Sequence, residues 1–340
     1  MATSNSLTLS SATFAKLSPH PFLLANLQPS DPSTPSSRTN GRQPRQARPY
    51  SINTSSLSHA HGSAVVRSGD TTVICGVRGE TLLTSQIPNY RAPQAGGIAI
   101  GDELRDYDLL VPNVELATGC APNFLPGVPP TTLAQTLSTR LFSLLHSSKL
   151  LNAEDLRIYH DSSEMQGEGD TEEEEDSFGE AMKEVKAYWV LYIDVLFISF
   201  DGNPFDVAWA AILAALRDTK LPHAYWDVDR ELVLCKRPTE KEPSPLRIRG
   251  LPVACTAVVF TARERQKKGS GQYWILVDPD RLEESLCNET VTMVVDNTEG
   301  EAKILSISKS GGTVVGPALM REFATVATTR WNEFRAVLQQ

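Results

Sequence analysis

A chain of 340 residues, 41% of them hydrophobic, is long enough to bury a large core in about two domains. No apolar run approaches the roughly 20 residues needed to cross a bilayer, so no membrane association is expected. The net charge of −9 is concentrated between Asp161 and Glu184, where eleven acidic residues stand against one lysine. The remaining chain is near neutral, which excludes a strongly basic nucleic-acid clamp and predicts a solvated acidic loop at residues 161–184.

The cysteines and histidines indicate neither a metal site nor a disulfide framework. The five cysteines are scattered, and the six histidines form no cluster of the kind that binds zinc. An odd number of separated cysteines predicts reduced thiols in an intracellular protein. No metal and no other cofactor is therefore expected.

The first half of the chain begins with a polar segment and continues with strong strand and helix patterns. Residues 1–40 predict a flexible tail with one short helix in "LSPHPFLLANL". Alternating runs on either side of residues 68–70 predict a hairpin, and leucines at helical spacing predict a helix in "TTLAQTLSTRLFSLLHSSKLL". The apolar strand "AYWVLYIDVLFISF" then leads through the turn at residues 201–203 into the helix "PFDVAWAAILAALRD".

The second half repeats a similar order of strands and helices. The runs "GLPVACTAVVF" and "QYWILVD" predict strands, and a short acidic helix follows Pro279. "TVTMVVD" and "AKILSISKS" predict a strand pair, and a long amphipathic helix ends the chain. Two mixed halves of similar layout predict an α+β architecture with domains at residues 41–222 and 223–340.

Four motifs in this order resemble the RNase PH family. "NGRQPRQARP" resembles the family's "DGR…RP" opening, and "GSAVVRSGDTTVICGVRGE" resembles its first hairpin. "VLYIDVLFISFDGNPFDVAWAAILAALRDTKLP" is similar to its central strand–turn–helix unit. "VDPDRLEESLCNETVTMVVD" resembles the "DPtxxEE…TvVvd" segment of the branch that builds the ring of the eukaryotic RNA exosome. The resemblance implies the RNase PH fold, in which each half is a ribosomal protein S5 domain 2-like unit.

The same resemblance implies a set of partners and a cellular role. The chain would be a non-catalytic subunit of a six-membered ring of RNase PH-like subunits, capped by S1/KH proteins. Single-stranded RNA would pass through the ring, and a separate hydrolytic exoribonuclease would belong to the same complex. The implied role is 3′–5′ RNA processing and degradation, including rRNA maturation and mRNA turnover, in the nucleus, the nucleolus and the cytoplasm.

The residues needed for phosphorolysis are missing at the positions where the resemblance places them. The reaction needs arginines that hold the attacking phosphate and carboxylates that position a metal ion or a proton. Active members carry two aspartates as D-x5-D, where this sequence has Ser285 and Val291. They carry an arginine after the DGG-type turn, where this sequence has Phe205. They also have a basic site at the start of the first long helix, but residues 106–139 contain no Lys or Arg and Arg140 lies well inside the helix. No catalytic residue is therefore expected.

Three other acidic positions allow a catalytic interpretation. Asp194 lies in the middle of the apolar strand and could be a buried general base. The simpler interpretation makes it a structural carboxylate with backbone or hydroxyl partners. Asp201 is expected to serve its turn, and Glu283 and Glu284 are expected to stabilise the first turn of a helix through its dipole.

Candidate RNA contacts are Arg91 and Arg105, near the two ends of the loop that follows the first hairpin. In relatives this loop can face the central pore, although a solvated loop arginine is the alternative for each. The basic stretches at residues 38–48 and 263–268 lack the interleaved aromatic residues that stack on bases. Two other functions stay open: a divergent phosphorolytic 3′–5′ exoribonuclease that uses displaced residues, and a free-standing RNA-binding module.

Overall fold

The computed structural model describes residues 10–92, 102–127, 129–160, 184–262, 273–312 and 316–339. The basic stretch at residues 263–268 and, apart from Glu184, the predicted acidic loop lie outside the described residues. The helices are α1 (Ser11–Leu17), α2 (Pro19–Leu27), α3 (Glu103–Asp106), α4 (Thr132–Ser147), α5 (Pro204–Asp218), α6 (Arg281–Leu286) and α7 (Pro317–Leu338). The strands are β1 (Tyr50–Thr54), β2 (Gly62–Ser68), β3 (Thr71–Leu83), β4 (Leu110–Leu116), β5 (Arg157–His160), β6 (Glu184–Ser199), β7 (Lys220–Leu221), β8 (Ala224–Asp227), β9 (Leu232–Cys235), β10 (Ser244–Pro245), β11 (Val253–Thr261), β12 (Tyr273–Val277), β13 (Glu289–Asp296) and β14 (Lys303–Ser310).

Two sheets carry the fold, one in each half of the chain. The first has the order β1-β2-β3-β6-β4, with β5 also paired to β6. Within it, β6 runs antiparallel to β3 and parallel to β4. The second sheet has the order β12-β11-β13-β14 and is antiparallel throughout. The predicted α+β architecture, with one mixed β/α unit in each half, is confirmed.

The helix α5 lies between the two halves and packs against β2, β3 and β11. Its sequence is apolar on every side, and a helix of that kind is stable only where it is covered all round. Gly62 permits the close approach of β2, because a Cβ atom there would lie 2.5 Å from the Cα atom of Thr219. The indole of Trp209 donates a hydrogen bond of 2.8 Å to the carbonyl of Pro252, at the entry to β11. The start of the second sheet is therefore tied to α5.

The helix α7 covers the other face of the second sheet, where it packs against β11 and β13. Its aromatic residues Phe323, Trp331 and Phe334 are buried, as the amphipathic pattern predicts. The indole of Trp331 donates to the carbonyl of Leu251 at 2.7 Å. Among the helices of the described residues, none has both the length and the hydropathy needed to cross a membrane.

The described part of the N-terminal segment, residues 10–40, is docked on the second sheet and does not form the predicted flexible tail. The helix α2 packs Leu23 and Leu27 against Phe260 and Leu276 of the second sheet. Arg38, further along the same segment, is also buried. The short helix predicted in "LSPHPFLLANL" is present as α2, whereas its docking was not predicted, because the complementary surface belongs to strands in the second half of the chain.

Candidate functional site

Ser285, Val291 and Phe205, which were expected to replace active-site residues of the family, do not line one common pocket. Ser285 is exposed on α6, and its hydroxyl donates to the carbonyl of Leu282 at 2.6 Å. Val291 is buried in β13 beside Met293 of the same strand and Phe323 of α7. Phe205 is buried in the first turn of α5. Successive residues of a strand face opposite sides of a sheet, so Val291 lies on the α7 side while its neighbour Thr292 faces α5.

A guanidinium group occupies the α5 side of this region. Arg140 reaches from α4 over the ring of Phe205, with its Cζ atom 4.1 Å from the ring centroid. Its Nη2 donates a hydrogen bond of 2.9 Å to the hydroxyl of Thr292. Burial lowers the pKa of the Arg140 guanidinium, and the nearby Asp206 acts in the opposite direction. Arg140, which the sequence places well inside its helix, therefore reaches across the domain boundary through its long side chain.

Hydrogen bonds connect Arg140 to a buried polar chain that joins the two domains. The hydroxyls of Thr292 and Thr256 are 3.0 Å apart, and Thr256 donates to Asp206 through its hydroxyl and its backbone N–H, both at 2.7 Å. The side-chain amide of Asn203 donates to Asp206 at 2.9 Å and to Asp278 at 2.8 Å. Burial raises the pKa of Asp206, and its hydrogen bonds act against that shift. Its acceptors are engaged within the protein, so Asp206 is a structural carboxylate.

Arg48 and Asp278 form the strongest ion pair at the domain boundary. Arg48 donates to the Asp278 carboxylate through its backbone N–H, its Nε and its Nη2, each at 2.8 Å. Arg42 adds a contact of 3.3 Å to the same carboxylate. The Arg48 guanidinium holds the pKa of Asp278 well below its ordinary value, although burial alone would raise it.

Arg38 forms a second buried pair with Glu283 at the start of α6. Arg38 also donates to the backbone carbonyls of Val277, at 2.6 Å, and Asp278, at 3.1 Å. Arg38, two residues before the motif "NGRQPRQARP", and Arg42 and Arg48 within it therefore dock this segment on "VDPDRLEE". Charge complementarity between these arginines and the acidic motif is the signal in the sequence that could have indicated this contact.

The helix α6 begins with a capping box, as its acidic first turn suggested. The Asp280 side chain accepts from the Glu283 backbone N–H at 2.9 Å, and the Glu283 carboxylate accepts from the Asp280 N–H at 3.0 Å. Glu284 accepts from the backbone N–H of Asn203 at 2.8 Å. Burial raises the pKa of Glu284 to about 7. The Glu284 side chain therefore links α6 to the turn before α5 by a hydrogen bond.

The acids Asp194 and Asp201 serve structural contacts of different kinds. Asp194 is exposed on β6, and its partner is the side-chain amide of Asn113 at 3.2 Å. The interpretation of Asp194 as a buried general base is wrong, because one face of β6 is open at this position, and its partner is a side-chain amide rather than the expected backbone or hydroxyl group. The backbone carbonyl of Asp201 accepts a hydrogen bond of 2.8 Å from Arg48 Nη1. The Asp201 carboxylate lies 3.5 Å from the same nitrogen atom.

The loop arginines Arg91 and Arg105 are both exposed. In the part of the chain that the structure describes, neither guanidinium forms a hydrogen bond or an ion pair. The aromatic rings of Tyr90 and Tyr107, each next to a segment that carries one of these arginines, lie 6.0 Å apart. Arg91 and Arg105, which lies in α3, are thus two exposed cations without a charged partner in the described residues, a property that suits contacts with phosphate groups.

The chemistry available at the domain boundary is limited. Among the described ranges, no group of three or more His, Cys, Asp or Glu side chains is arranged to hold a metal ion. Arg140 supplies a cation, and the two residues expected at the D-x5-D positions lie apart, Ser285 exposed on α6 and Val291 buried toward α7. The described carboxylates of Asp206, Asp278 and Glu284 at this boundary are engaged in hydrogen bonds within the protein.

Two family models match this chain and together span both domains. The model for domain 1 of the 3′ exoribonuclease family, RNase PH, matches residues 46–222, and the model for domain 2 matches residues 250–330. The chain belongs to the RNase PH family of 3′ exoribonucleases. The family that the four motifs indicated is thereby confirmed.

Relatives in the family match over nearly their full lengths. Exosome complex component rrp43 of Schizosaccharomyces pombe is 30% identical over 325 residues, which cover 96% of this chain and 97% of that protein. Exosome complex component Rrp42 of Methanopyrus kandleri is 26% identical and covers 89% of this chain and 91% of that protein. Both names agree with the branch of the family that the motifs resemble.

Solved structures of the family share the fold. A chain of the Archaeoglobus fulgidus exosome with RNA bound to the active site aligns with a TM-score of 0.63 and 24% identity, covering 93% of this chain and 96% of that chain. A chain of an archaeal exosome core aligns with a TM-score of 0.58 and 20% identity, covering 96% of this chain and 100% of that chain. The RNase PH fold predicted from the motifs is confirmed by these alignments.

Proposed function

We propose that this chain is a non-catalytic subunit of the hexameric ring of the RNA exosome. It supports 3′–5′ RNA processing and degradation, including rRNA maturation and mRNA turnover, by building the ring and its RNA channel. The observation that carries this proposal is the match to the S. pombe rrp43 component over 96% of this chain and 97% of that protein.

The absence of catalysis is supported by the residues at the expected site. Ser285 and Val291 stand where active members carry the aspartate pair, and Phe205 stands where they carry an arginine. Val291 faces α7 and packs beside Phe323, whereas Arg140 contacts Thr292 on the opposite face of the sheet. The Arg140 guanidinium remains as a cation without the acids that phosphorolysis requires.

The proposed partners follow from this role. Two neighbouring RNase PH-like subunits contact the chain within the ring, and S1/KH subunits cap the ring. A separate hydrolytic exoribonuclease belongs to the complex and degrades RNA that passes through the channel. The complex works in the nucleus and the nucleolus, and also in the cytoplasm.

The purified chain is expected to release no nucleoside diphosphates from single-stranded RNA when phosphate and Mg²⁺ or Mn²⁺ are present. The physical reason is the missing carboxylate pair at Ser285 and Val291. Chromatography of the products, with an active family member assayed in parallel, measures the rate. Phosphate-dependent release that disappears in Asp194→Asn or Glu284→Gln variants would instead establish the divergent enzyme.

Co-purification from cells, with the composition read by mass spectrometry, tests the assembly itself. A ring subunit elutes in a large stable complex with other RNase PH-like chains. A chain that elutes alone and still binds single-stranded RNA would favour the free-standing RNA-binding module.

Within the assembled ring, we place Arg91 and Arg105 in contact with the RNA backbone. The double variant Arg91→Ala/Arg105→Ala is expected to weaken the binding of single-stranded RNA. It should also make the slope of log K against the logarithm of the salt concentration shallower by about one to two. Fluorescence anisotropy at several salt concentrations measures both quantities. Arg321→Ala is the control, since Arg321 is also exposed but lies in α7, which packs on the second sheet. Equal effects of the two changes would remove these arginines from the channel.

A further inference from the structure

A cleft separates the strand β5 from the small hairpin of β8 and β9. Its volume is about 540 Å³, which is in the range of clefts that hold a ligand. One wall is β5, which is paired to β6 of the first sheet. The other wall is β8, whose partner in the described residues is β9, outside both large sheets. None of the side chains described at the domain boundary lines this cleft, so it is separate from the degenerate active-site region.

The cleft is rich in aromatic rings. Four aromatic side chains line it: Tyr159, Trp189, Tyr225 and Trp226. Cations of the chain already contact two of these rings, since Nζ of Lys186 lies 6.0 Å from the ring centroid of Trp226 and Nζ of Lys236 lies 5.6 Å from that of Tyr225. Neither lysine is among the residues that line the cleft, so they do not fill it. Rings that are half-buried and attract cations are suited to hold a cationic ligand.

The charged side chains that line the cleft also favour a cation. They are Asp155, Asp227, Asp229 and Arg157. The Arg157 guanidinium is neutralised from outside the cleft, because its Nη2 and its Nε donate to the Glu103 carboxylate at 2.6 Å and 3.1 Å. The lining therefore carries an excess of negative charge, which attracts cations and repels anions.

Asp155 is the acid of the cleft with free capacity to bind a ligand. Its side chain is 13% exposed, and in the described residues its carboxylate accepts no hydrogen bond. The guanidinium nitrogens of the exposed Arg247 and Arg249 lie 3.8 Å and 3.7 Å away, which is too far for hydrogen bonds. Asp227, by contrast, accepts from the backbone N–H of Asp229 at 3.0 Å within the hairpin turn. A partly buried carboxylate gains most from a ligand that donates to it.

A guanidinium group satisfies both the rings and the carboxylate. It is planar, stacks on aromatic rings and donates two parallel hydrogen bonds to one carboxylate. An ammonium group offers only a point charge. The base of a nucleotide also stacks on aromatic rings, but its phosphate is repelled by the three aspartates. The volume of about 540 Å³ exceeds that of one arginine side chain, so the cleft accommodates neighbouring peptide residues as well.

We propose that this cleft binds an arginine side chain of an extended basic peptide from another protein. The guanidinium group stacks on Trp226, and the carboxylate of Asp155 accepts its hydrogen bonds. The inference goes beyond the proposed function, because it requires neither catalysis nor ring formation. The partner is a protein that docks on the chain from outside the ring.

The test measures binding of the fluorescein-labelled peptide Gly-Arg-Gly-Arg-Gly-Arg-Gly to the full-length chain by fluorescence anisotropy. Trp226→Ala and Asp155→Asn are each expected to weaken binding at least about fivefold. Two controls leave it unchanged: Tyr273→Ala, at an aromatic residue of β12 that is 52% exposed, and Asp70→Asn, which removes one charge in the turn between β2 and β3. Circular dichroism confirms that each variant is folded, and Asp155→Asn, which keeps the side-chain volume, decides if Trp226→Ala is not.

A second peptide with lysines in place of the arginines separates guanidinium recognition from charge attraction. The acidic residues 161–184 attract both peptides by their charge, so this contribution cancels in the comparison. The lysine peptide is expected to bind at least about fivefold more weakly. The arginine peptide is expected to bind the assembled ring as well as the isolated chain.

Four results would overturn the site. One is no binding of the arginine peptide, and another is equal binding of the two peptides or wild-type affinity in both cleft variants, which would show charge attraction alone. Loss of binding in the assembled ring would show that a neighbouring subunit covers the cleft, and would leave the ring function standing. Binding of an oligouridine RNA that is lost in Trp226→Ala would assign the cleft to RNA instead.

Discussion

Replacing Asp278 with alanine is expected to lower the free energy of unfolding by about 3–5 kcal/mol. The Asp278 carboxylate is almost completely buried and accepts three hydrogen bonds of 2.8 Å from Arg48 alone. Its removal leaves the Arg48 guanidinium buried without its principal counter-charge. Urea denaturation at pH 7, followed by circular dichroism and tryptophan fluorescence, measures the loss.

The contribution of Asp278 also depends on pH in a defined direction. Its pKa in the folded protein lies below the ordinary value of 3.8, because Arg48 stabilises the charged form. The stabilisation is therefore fully present above pH 4 or so and is lost as the pH falls through the folded pKa. The difference between the wild type and Asp278→Ala should shrink in that acidic range.

A control variant at an exposed ion pair separates the buried contact from charge removal in general. Asp70 lies 3.9 Å from Arg67, and both side chains are exposed. Asp70→Ala is expected to cost less than about 1 kcal/mol. The double variant Arg48→Met/Asp278→Leu should recover part of the loss, since it removes the buried charge of Arg48 together with that of Asp278. A loss for Asp278→Ala no larger than that for Asp70→Ala would contradict the assigned role.

The second large effect is expected from Gly202→Ala, at about 2–4 kcal/mol. Gly202 has φ +79°, and a Cβ atom there would lie 2.5 Å from the carbonyl carbon of Asp280 and 2.6 Å from the backbone nitrogen of Arg281. The turn before α5 thus packs directly on the backbone at the start of α6. The added methyl group must push the turn away from α6. This displacement weakens the hydrogen bonds of Asn203 to Asp206 and Asp278 between the domains. Thermal and urea denaturation measure the change.

Gly300→Ala is the matched control for backbone strain. Gly300 has φ +89°, and a Cβ atom there meets nothing within 4 Å. Its replacement carries the strain of a positive φ alone, about 1 kcal/mol. The excess cost of Gly202→Ala over Gly300→Ala therefore reports the contact between the turn and α6. Equal costs would mean that the two elements separate without loss.

The predictions that succeeded concern local patterns. Alternation predicted the hairpin of β2 and β3, and the continuous apolar runs predicted β6 and α5. The amphipathic pattern at the end of the chain predicted α7, whose aromatic residues Phe323, Trp331 and Phe334 are buried. Each of these features depends on residues close together in the chain, so the sequence carries the complete signal.

The predictions that failed concern contacts between distant segments. Arg140 was discounted by its position in α4, yet its side chain spans the gap to Phe205. Phe205 and Val291 were expected to line one pocket, but the register of β13 turns Val291 toward α7. The short apolar helix α2 was assigned to a tail because its docking surface comes from residues more than two hundred positions away.

The sequence by itself determined the family and the order of the elements, because these depend on residue types and short-range spacing. Only the tertiary structure decided that Arg38 and Arg48 pair with the buried carboxylates of Glu283 and Asp278, that Arg140 covers Phe205, and that β14 lies beyond both helical layers. The physical reason is that sheet register and side-chain reach determine which charged groups meet and which backbone edge stays open. Both are set by packing between segments that are far apart in the chain.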